Sequence, residues 1–277
     1  SPVAAGLIDA HAGGVGTLGD APAGRLAYVF GTSACTMSSH ADPVHVKGVW
    51  GPYHQAMLPG LWLNEGGQSA AGAALDQLVR LHPAYPTLAA QEGNVLDALT
   101  RQALAIKDPA QRIARAAHLT VVPDFNGNRA PLANPAARAV VAGLGMERDE
   151  ASLLDLVLGG LIGIACGLRQ IIDAQTAMGL ATRDIVISGG AGANPVAQQI
   201  LADVTGCPVL VPQSQEPVLL GAAILGRLVA EEDVDLSAVR GHMTRLERTS
   251  LPTAESAQTC DALYRRFLAL QTAASLI

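Results

Sequence analysis

The stretch Asp184-Ile185-Val186-Ile187-Ser188-Gly189-Gly190-Ala191-Gly192-Ala193-Asn194-Pro195 decides how the rest of the chain is read. Three β-branched residues between Asp184 and Ser188 predict a short buried strand. A glycine turn follows at once, and Pro195 stands where the first turn of a helix tolerates a residue without an N–H, so a helix is expected to about Thr205. A strand joined to a helix through glycines brings backbone N–H groups and a helix N-terminus up to an anion or a nucleotide. Taken alone, such a turn is more often a tight connection than a ligand site. It has neither the G-x-G-x-x-G phase nor a Walker lysine, which argues against dinucleotide-binding and P-loop folds.

Downstream, residues 208–211 read as another strand and 218–230 as another helix, and this alternation argues an α/β fold. The tail from 246 reads as loop and then a terminal helix over 256–276. Upstream, 153–178 is apolar nearly all round and predicts a helix buried on most faces. Its uncharged core, 156–168, is shorter than the roughly 20 residues of a membrane span. Residues 121–134 read as irregular, and 82–118 as a polar helical insertion in which Val95, Leu96, Leu99, Ala103 and Leu104 keep helical spacing. A helix is expected from near Ser69, with the hydroxyl as cap, after a loop-rich segment over 50–62. Residues 26–30 and 34–38 read as strands joined by a tight Gly31-Thr32-Ser33 turn. Residues 3–8 form an apolar segment running into Asp9 and a glycine-rich turn, an opening that suits a domain boundary better than a natural N-terminus.

The 277 residues are 49% apolar and only 15% charged, which excludes a disordered chain. A net charge of −6 without a basic run makes nucleic acid an unexpected partner. No basic segment followed by an apolar one opens the sequence, so a soluble, cytoplasmic protein with no membrane partner is expected. Cys35, Cys166, Cys207 and Cys260 form no C-x-x-C pair, so they read as buried, reduced thiols.

Two further features could carry chemistry. Gly31-Thr32-Ser33 between two strands can form a nest of N–H groups for phosphate oxygens, although by itself it is an ordinary hairpin turn. Asp9, at the end of an apolar segment, could accept a proton from a substrate hydroxyl or organise Mg²⁺, although an isolated Asp there is more often a cap.

The order of these features, and the phrases around them, carry more than each feature singly. GLIDAHAGGVG (6–16), FGTSACTMSS (30–39), GVWGPYHQAMLPGLWLNEGGQS (48–69), VPDFNGNRAPLANP (122–135), ISGGAGANP (187–195) and EPVLLGAAILG (216–226) resemble the FGGY carbohydrate kinases, and most nearly the D-ribulokinases. The resemblance implies an actin-like ATPase / ribonuclease H-like domain, the C-terminal, ATP-binding half of a two-domain sugar kinase. It implies that Asp9 is the base that deprotonates the sugar hydroxyl, and that Gly31 and Thr32 contact the ATP phosphates. Gly72 and Asp76 match positions near the nucleotide, although glycerol kinases carry an amide at the latter. Gly190 and Asn194 match the adenosine loop, with Gly189 and Ala191 lining base and ribose. It gives Arg129 no role, and His11 reads as structural.

The implied substrates are ATP, with Mg²⁺, and a pentulose such as ribulose. The implied partners are an N-terminal kinase domain and, as a homodimer, a second copy. That N-terminal domain would supply the first phosphate motif, a Mg²⁺-organising Asp and most sugar contacts; nothing ahead of Asp9 matches it. The chain alone is therefore expected to hold a nucleotide site and a base, without a sugar pocket. The alternative is a non-catalytic module that binds nucleotide or a partner. A chaperone-like ATPase is disfavoured, because the sugar-kinase phrases extend outside the nucleotide loops.

Overall fold

The computed structural model describes residues 3–19, 22–231 and 234–276. In chain order the elements are α1 (Asp9–Thr17), β1 (Arg25–Phe30), β2 (Ala34–His40), β3 (Trp50–His54), β4 (Trp62–Gln68), α2 (Gly72–Leu81), α3 (Tyr85–Glu92), α4 (Val95–Ala105), α5 (Pro109–Arg115), β5 (Thr120–Val122), β6 (Val140–Ala142), α6 (Glu150–Thr176), β7 (Asp184–Ser188), α7 (Pro195–Thr205), β8 (Val209–Pro212), α8 (Pro217–Ala230), α9 (Leu236–Met243), β9 (Leu246–Ser250) and α10 (Ala257–Ala274). Seven strands form one sheet in the order β3-β4-β2-β1-β7-β8-β9. β1, β7 and β8 run parallel, and the remaining neighbours are antiparallel. β5 and β6 pair separately.

Side chains alternate across each strand, so the sheet has two faces to bury. Leu26, Tyr28 and Phe30 of β1 join the core formed with α2, α6, α7 and α10, whereas Ala27 clusters with Val15 of α1, Leu18 just after it, Ile224 of α8 and Val239 of α9. α6 is the spine of the first core. By length and composition it could cross a membrane, but 83% of its most apolar window is buried inside the fold, so its apolarity is that of a core helix.

Several sequence expectations need correction. The glycine-rich turn after Asp9 is helix α1. Its glycines let α8 approach until the backbones touch: a Cβ on Gly16 would lie 2.2 Å from the Pro217 carbonyl oxygen, and one on Gly221 would lie 1.9 Å from that of Ala12. The loop-rich 50–62 segment contains a strand, β3, which tolerates Pro52 because it is an edge strand with a single neighbour. Leu246–Ser250 is also a strand, exposed and polar as an edge requires. β5 orders the start of the irregular 121–134 segment.

Ser69 does not cap α2. The helix begins at Gly72 with Ala71 as N-cap and no side-chain cap, because the preceding hairpin turn supplies the acceptors. Cys166, Cys207 and Cys260 are buried free thiols, but Cys35 is only half-buried.

Candidate functional site

β1 and β7 end level: Val29 pairs with Ser188, so the Gly31–Ser33 turn and the Gly189–Asn194 loop leave the sheet side by side. Asp9 opens α1, which packs on β1 through Val15, and His11, two residues further on, contacts Glu65, which in turn contacts Cys35, two residues beyond the Gly31–Ser33 turn. In open α/β sheets, the end beyond the parallel strands is where ligands bind.

The Gly31–Ser33 turn is locked to the start of α2 through backbone hydrogen bonds. Ala71 and Ala73 N–H donate to the Thr32 carbonyl at 2.9 and 3.1 Å, and Gly72 N–H donates to Gly31 O at 2.9 Å. The first amides of α2 are thus occupied by the turn. The Thr32 and Ser33 amides donate to no protein acceptor among the described residues, and Thr32 is exposed, so the turn itself presents the free N–H groups. A Cβ on Gly72 would lie 2.7 Å from Gly31 O and 3.8 Å from Ala191 Cβ, which shows how closely these three positions meet. Gly189 holds φ at +90°, and a Cβ there would sit 2.6 Å from Phe30 O, so the loop leaves β7 along a path open only to glycine. Gly189 and Gly190 are exposed at this end, Ala191 is half-buried, and Asp76 lies exposed one turn into α2.

Asn194 acts first as a cap. Its Oδ1 accepts from the amides of Val196 (2.9 Å) and Ala197 (3.3 Å), and its Nδ2 donates to Thr100 Oγ1 on α4 at 2.8 Å. The side chain is thereby engaged at both ends, and the helical segment is tied to the loop. Asn194→Ala is expected to cost about 1 kcal/mol through the lost cap. In a protein of this size that is a fall in melting temperature of roughly 2–4 °C, with weaker nucleotide binding as the loop loosens. An unchanged melting temperature would show that the cap does not form.

Asp9 is exposed at the N-terminus of α1, where the helix dipole favours negative charge, and its Oδ1 accepts from the Ala10 amide at 2.7 Å. His11 is buried one step along the helix, with Nε2 3.2 Å from Glu65 Oε2. The Cys35 thiol donates to Glu65 Oε1 at 3.8 Å, and Arg129 Nη1 donates to Cys35 Sγ at 3.6 Å. Burial, with Glu65 adding to it and Arg129 opposing, pushes the Cys35 thiol above its ordinary range, so it stays protonated and serves as a donor. Sequence reading gave Arg129 no role, took Cys35 for a buried thiol and did not single out Glu65, because their meeting depends on β-register and on a loop 94 residues beyond Cys35. Gln68, from the same phrase as Glu65, points to the other side: it accepts from Tyr28 Oη at 2.8 Å and donates to the Ile164 carbonyl at 2.9 Å, which pins β4 and β1 to α6.

Among the described residues, no three His, Cys, Asp or Glu side chains converge as metal ligands. Asp9 and Asp76 stand outside any such group, so the described residues do not by themselves fit a protein-held ion. A cavity of about 360 Å³ lies elsewhere, at the C-terminal end of α2, and includes His82 and Ser152. Their 3.2 Å contact is not a nucleophile with its base: His82 Nδ1 accepts from the Ala84 amide, which leaves the proton on Nε2, facing Ser152.

Residues 26–230 match the C-terminal domain of the FGGY family of carbohydrate kinases. The chain belongs to the FGGY family. It is 38% identical over 284 residues to an FGGY carbohydrate kinase domain-containing protein of Homo sapiens, covering 97% of the chain and 52% of that protein. It is 34% identical to a D-ribulokinase of Saccharomyces cerevisiae, covering 93% of the chain and 39% of that protein. The xylulose kinase of Rhodospirillum rubrum superposes with a TM-score of 0.78 at 24% identity, over 96% of this chain and 50% of that one. The fold of this FGGY chain is thus that of the sugar kinases, in the actin-like ATPase class. The chain spans about half the length of the curated FGGY relatives it matches.

Proposed function

We propose that this chain is the nucleotide-binding half of a kinase that transfers the terminal phosphoryl group of ATP to a hydroxyl of a pentulose. The observation that carries the reading is that a turn with free amides (Thr32 and Ser33) and a glycine loop (189–194) leave the level ends of β1 and β7 side by side, while α1, which Asp9 opens, is tied to the strand after that turn through His11, Glu65 and Cys35. Asp9 takes the proton of the sugar hydroxyl, the alkoxide oxygen bonds to the γ-phosphorus, and the bond to the β-phosphate oxygen breaks to release ADP. The Gly31–Ser33 turn holds phosphate oxygens, Gly72 and Asp76 border the nucleotide, and Gly189, Gly190 and Ala191 line adenosine. Asn194 positions that loop. Magnesium enters with ATP. The resemblance to ribulokinases favours a pentulose.

Residues 1–277 constitute one domain in this reading, with 82–118 as a helical insertion, and an N-terminal half completes the enzyme in the cytoplasm. A surface for that half is available. α8 is strongly apolar, yet only Gly221 and Ile224 of its residues are fully buried, and Leu219 is 66% exposed; Ile8, next in sequence to Asp9, is 64% exposed. Uncovered apolar surface of this kind marks an interface.

The test is a panel of D-ribulose, L-ribulose, D-xylulose and glycerol with the full-length protein and ATP. ADP release with a pentulose is expected, as is weak ATP binding without transfer by residues 1–277 alone. Transfer to glycerol in preference to every pentulose would overturn the substrate class, and vigorous transfer by residues 1–277 would overturn the half-enzyme reading.

A further inference from the structure

Arg129 is half-buried, and its neighbours differ from those of other shielded arginines. A guanidinium carries five N–H donors in a rigid fork and no acceptor. Arg25, Arg112, Arg115 and Arg169 direct theirs to oxygen: Arg25 to Leu18 O, Arg112 to the carbonyls of Ala103 and Ile106, Arg115 to Asp155, and Arg169 to Asp261. Arg129 has a protonated thiol at 3.6 Å and the face of Trp50 at 5.4 Å. Among the described residues, no carboxylate lies within ion-pair distance of it. Trp50 is 47% exposed, so this corner is open to solvent.

The corner lies between the two halves of the candidate site. Cys35 stands two residues beyond Ser33, about 7 Å along an extended strand. The same thiol contacts Glu65, which contacts His11, two residues from Asp9 on α1. The turn offers amides but no formal charge, and neither it nor the 189–194 loop contains Lys or Arg. Phosphoryl transfer needs positive charge placed in advance around the moving group.

We propose that Arg129 is an anion receiver of this site, taking an oxygen of a phosphoryl group. That group is either the terminal phosphate of ATP before transfer or the phosphate monoester of the sugar after it. The inference rests on the kinase reading above. The guanidinium suits this task because its fork can meet two phosphate oxygens at once, whereas a lysine ammonium offers a point charge.

The experiment compares Arg129→Met and Arg129→Lys in the full-length protein. Arg129→Met is expected to lower kcat about 10-fold to 100-fold, with ADP affinity and melting temperature unchanged, and Arg129→Lys to recover part of kcat. If the group met is the terminal phosphate of ATP, affinity for a non-hydrolysable ATP analogue falls while that for ADP does not. If it is the product, inhibition by the sugar phosphate weakens while both nucleotides bind as before. Either pattern supports the proposal. Unchanged kcat and unchanged affinities overturn it, as does an equal loss of every ligand together with a lower melting temperature in both variants. The ratio of analogue to ADP affinity is read at equilibrium. A wild-type protein that transfers no phosphate therefore sinks the kinase reading, while Arg129 is still judged by that ratio.

Discussion

Asp9→Asn is expected to abolish sugar phosphorylation while leaving ATP bound. General-base help is worth about 10²–10⁴-fold, and kcat should fall by that much because an amide cannot take the hydroxyl proton. The substitution should otherwise be mild. Asp9 is exposed, its side chain accepts from the Ala10 amide, and an asparagine oxygen can accept the same bond. The Gly31–Ser33 turn and the 189–194 loop are held by backbone contacts that do not involve Asp9. An ADP-coupled assay and equilibrium ATP binding on the full-length variant make the check. Turnover within a few-fold of wild type would remove Asp9 from the role of base, and loss of ATP binding would assign it to the nucleotide site instead.

The second large effect concerns α1 itself. Gly16→Ala should destabilise the protein by about 1–3 kcal/mol, the usual cost of overpacking. Helix propensity alone predicts the opposite, since alanine is favoured over glycine by about 1 kcal/mol. Space decides the sign. A Cβ at Gly16 would stand 2.2 Å from Pro217 O and 2.9 Å from the Gly221 nitrogen, and backbone atoms cannot rotate away as a side chain can. The same addition at Gly13 meets only Val218 Cγ2, at 3.5 Å, an ordinary contact. Gly13→Ala should therefore be neutral or slightly stabilising, and the pair separates packing from propensity. Equal melting temperatures for the two variants would mean that α1 and α8 are not in backbone contact. Because α1 carries Asp9 and His11, Gly16→Ala should also lower kcat in the full-length protein.

The glycines of α1 show where a sequence reading loses its way. Gly13, Gly14 and Gly16 read as a turn because local propensity disfavours them in a helix. They are helical because tertiary neighbours claim the space they leave: Gly16 lies against the backbone of α8, some 200 residues later, and Gly14 against Met57 and Met37, and no local pattern encodes those partners. β3 and β9 were illegible for a related reason: edge strands need only one neighbour, so proline, charge and exposure are tolerated, and the alternation that marks a half-buried strand is absent. By contrast β7, α6 and α7 were legible, since each is buried by its own apolar pattern or bounded by its own cap and proline.

The sequence by itself determined the α/β class and the strand–turn–helix character of the 184–205 segment, because short-range rules for glycine, proline and hydrophobic period act within a few residues, and the resemblance of its phrases pointed to the family. Only the tertiary structure decided how the site is assembled. Parallel register levels the ends of β1 and β7, the carbonyls of Gly31 and Thr32 cap α2, and Asn194 is engaged in capping α7 and holding Thr100. Arg129 gains its meaning the same way. A guanidinium is defined chemically by what surrounds it, and here its surroundings come from Cys35 and Trp50, which the sheet, and not the chain order, brings to it.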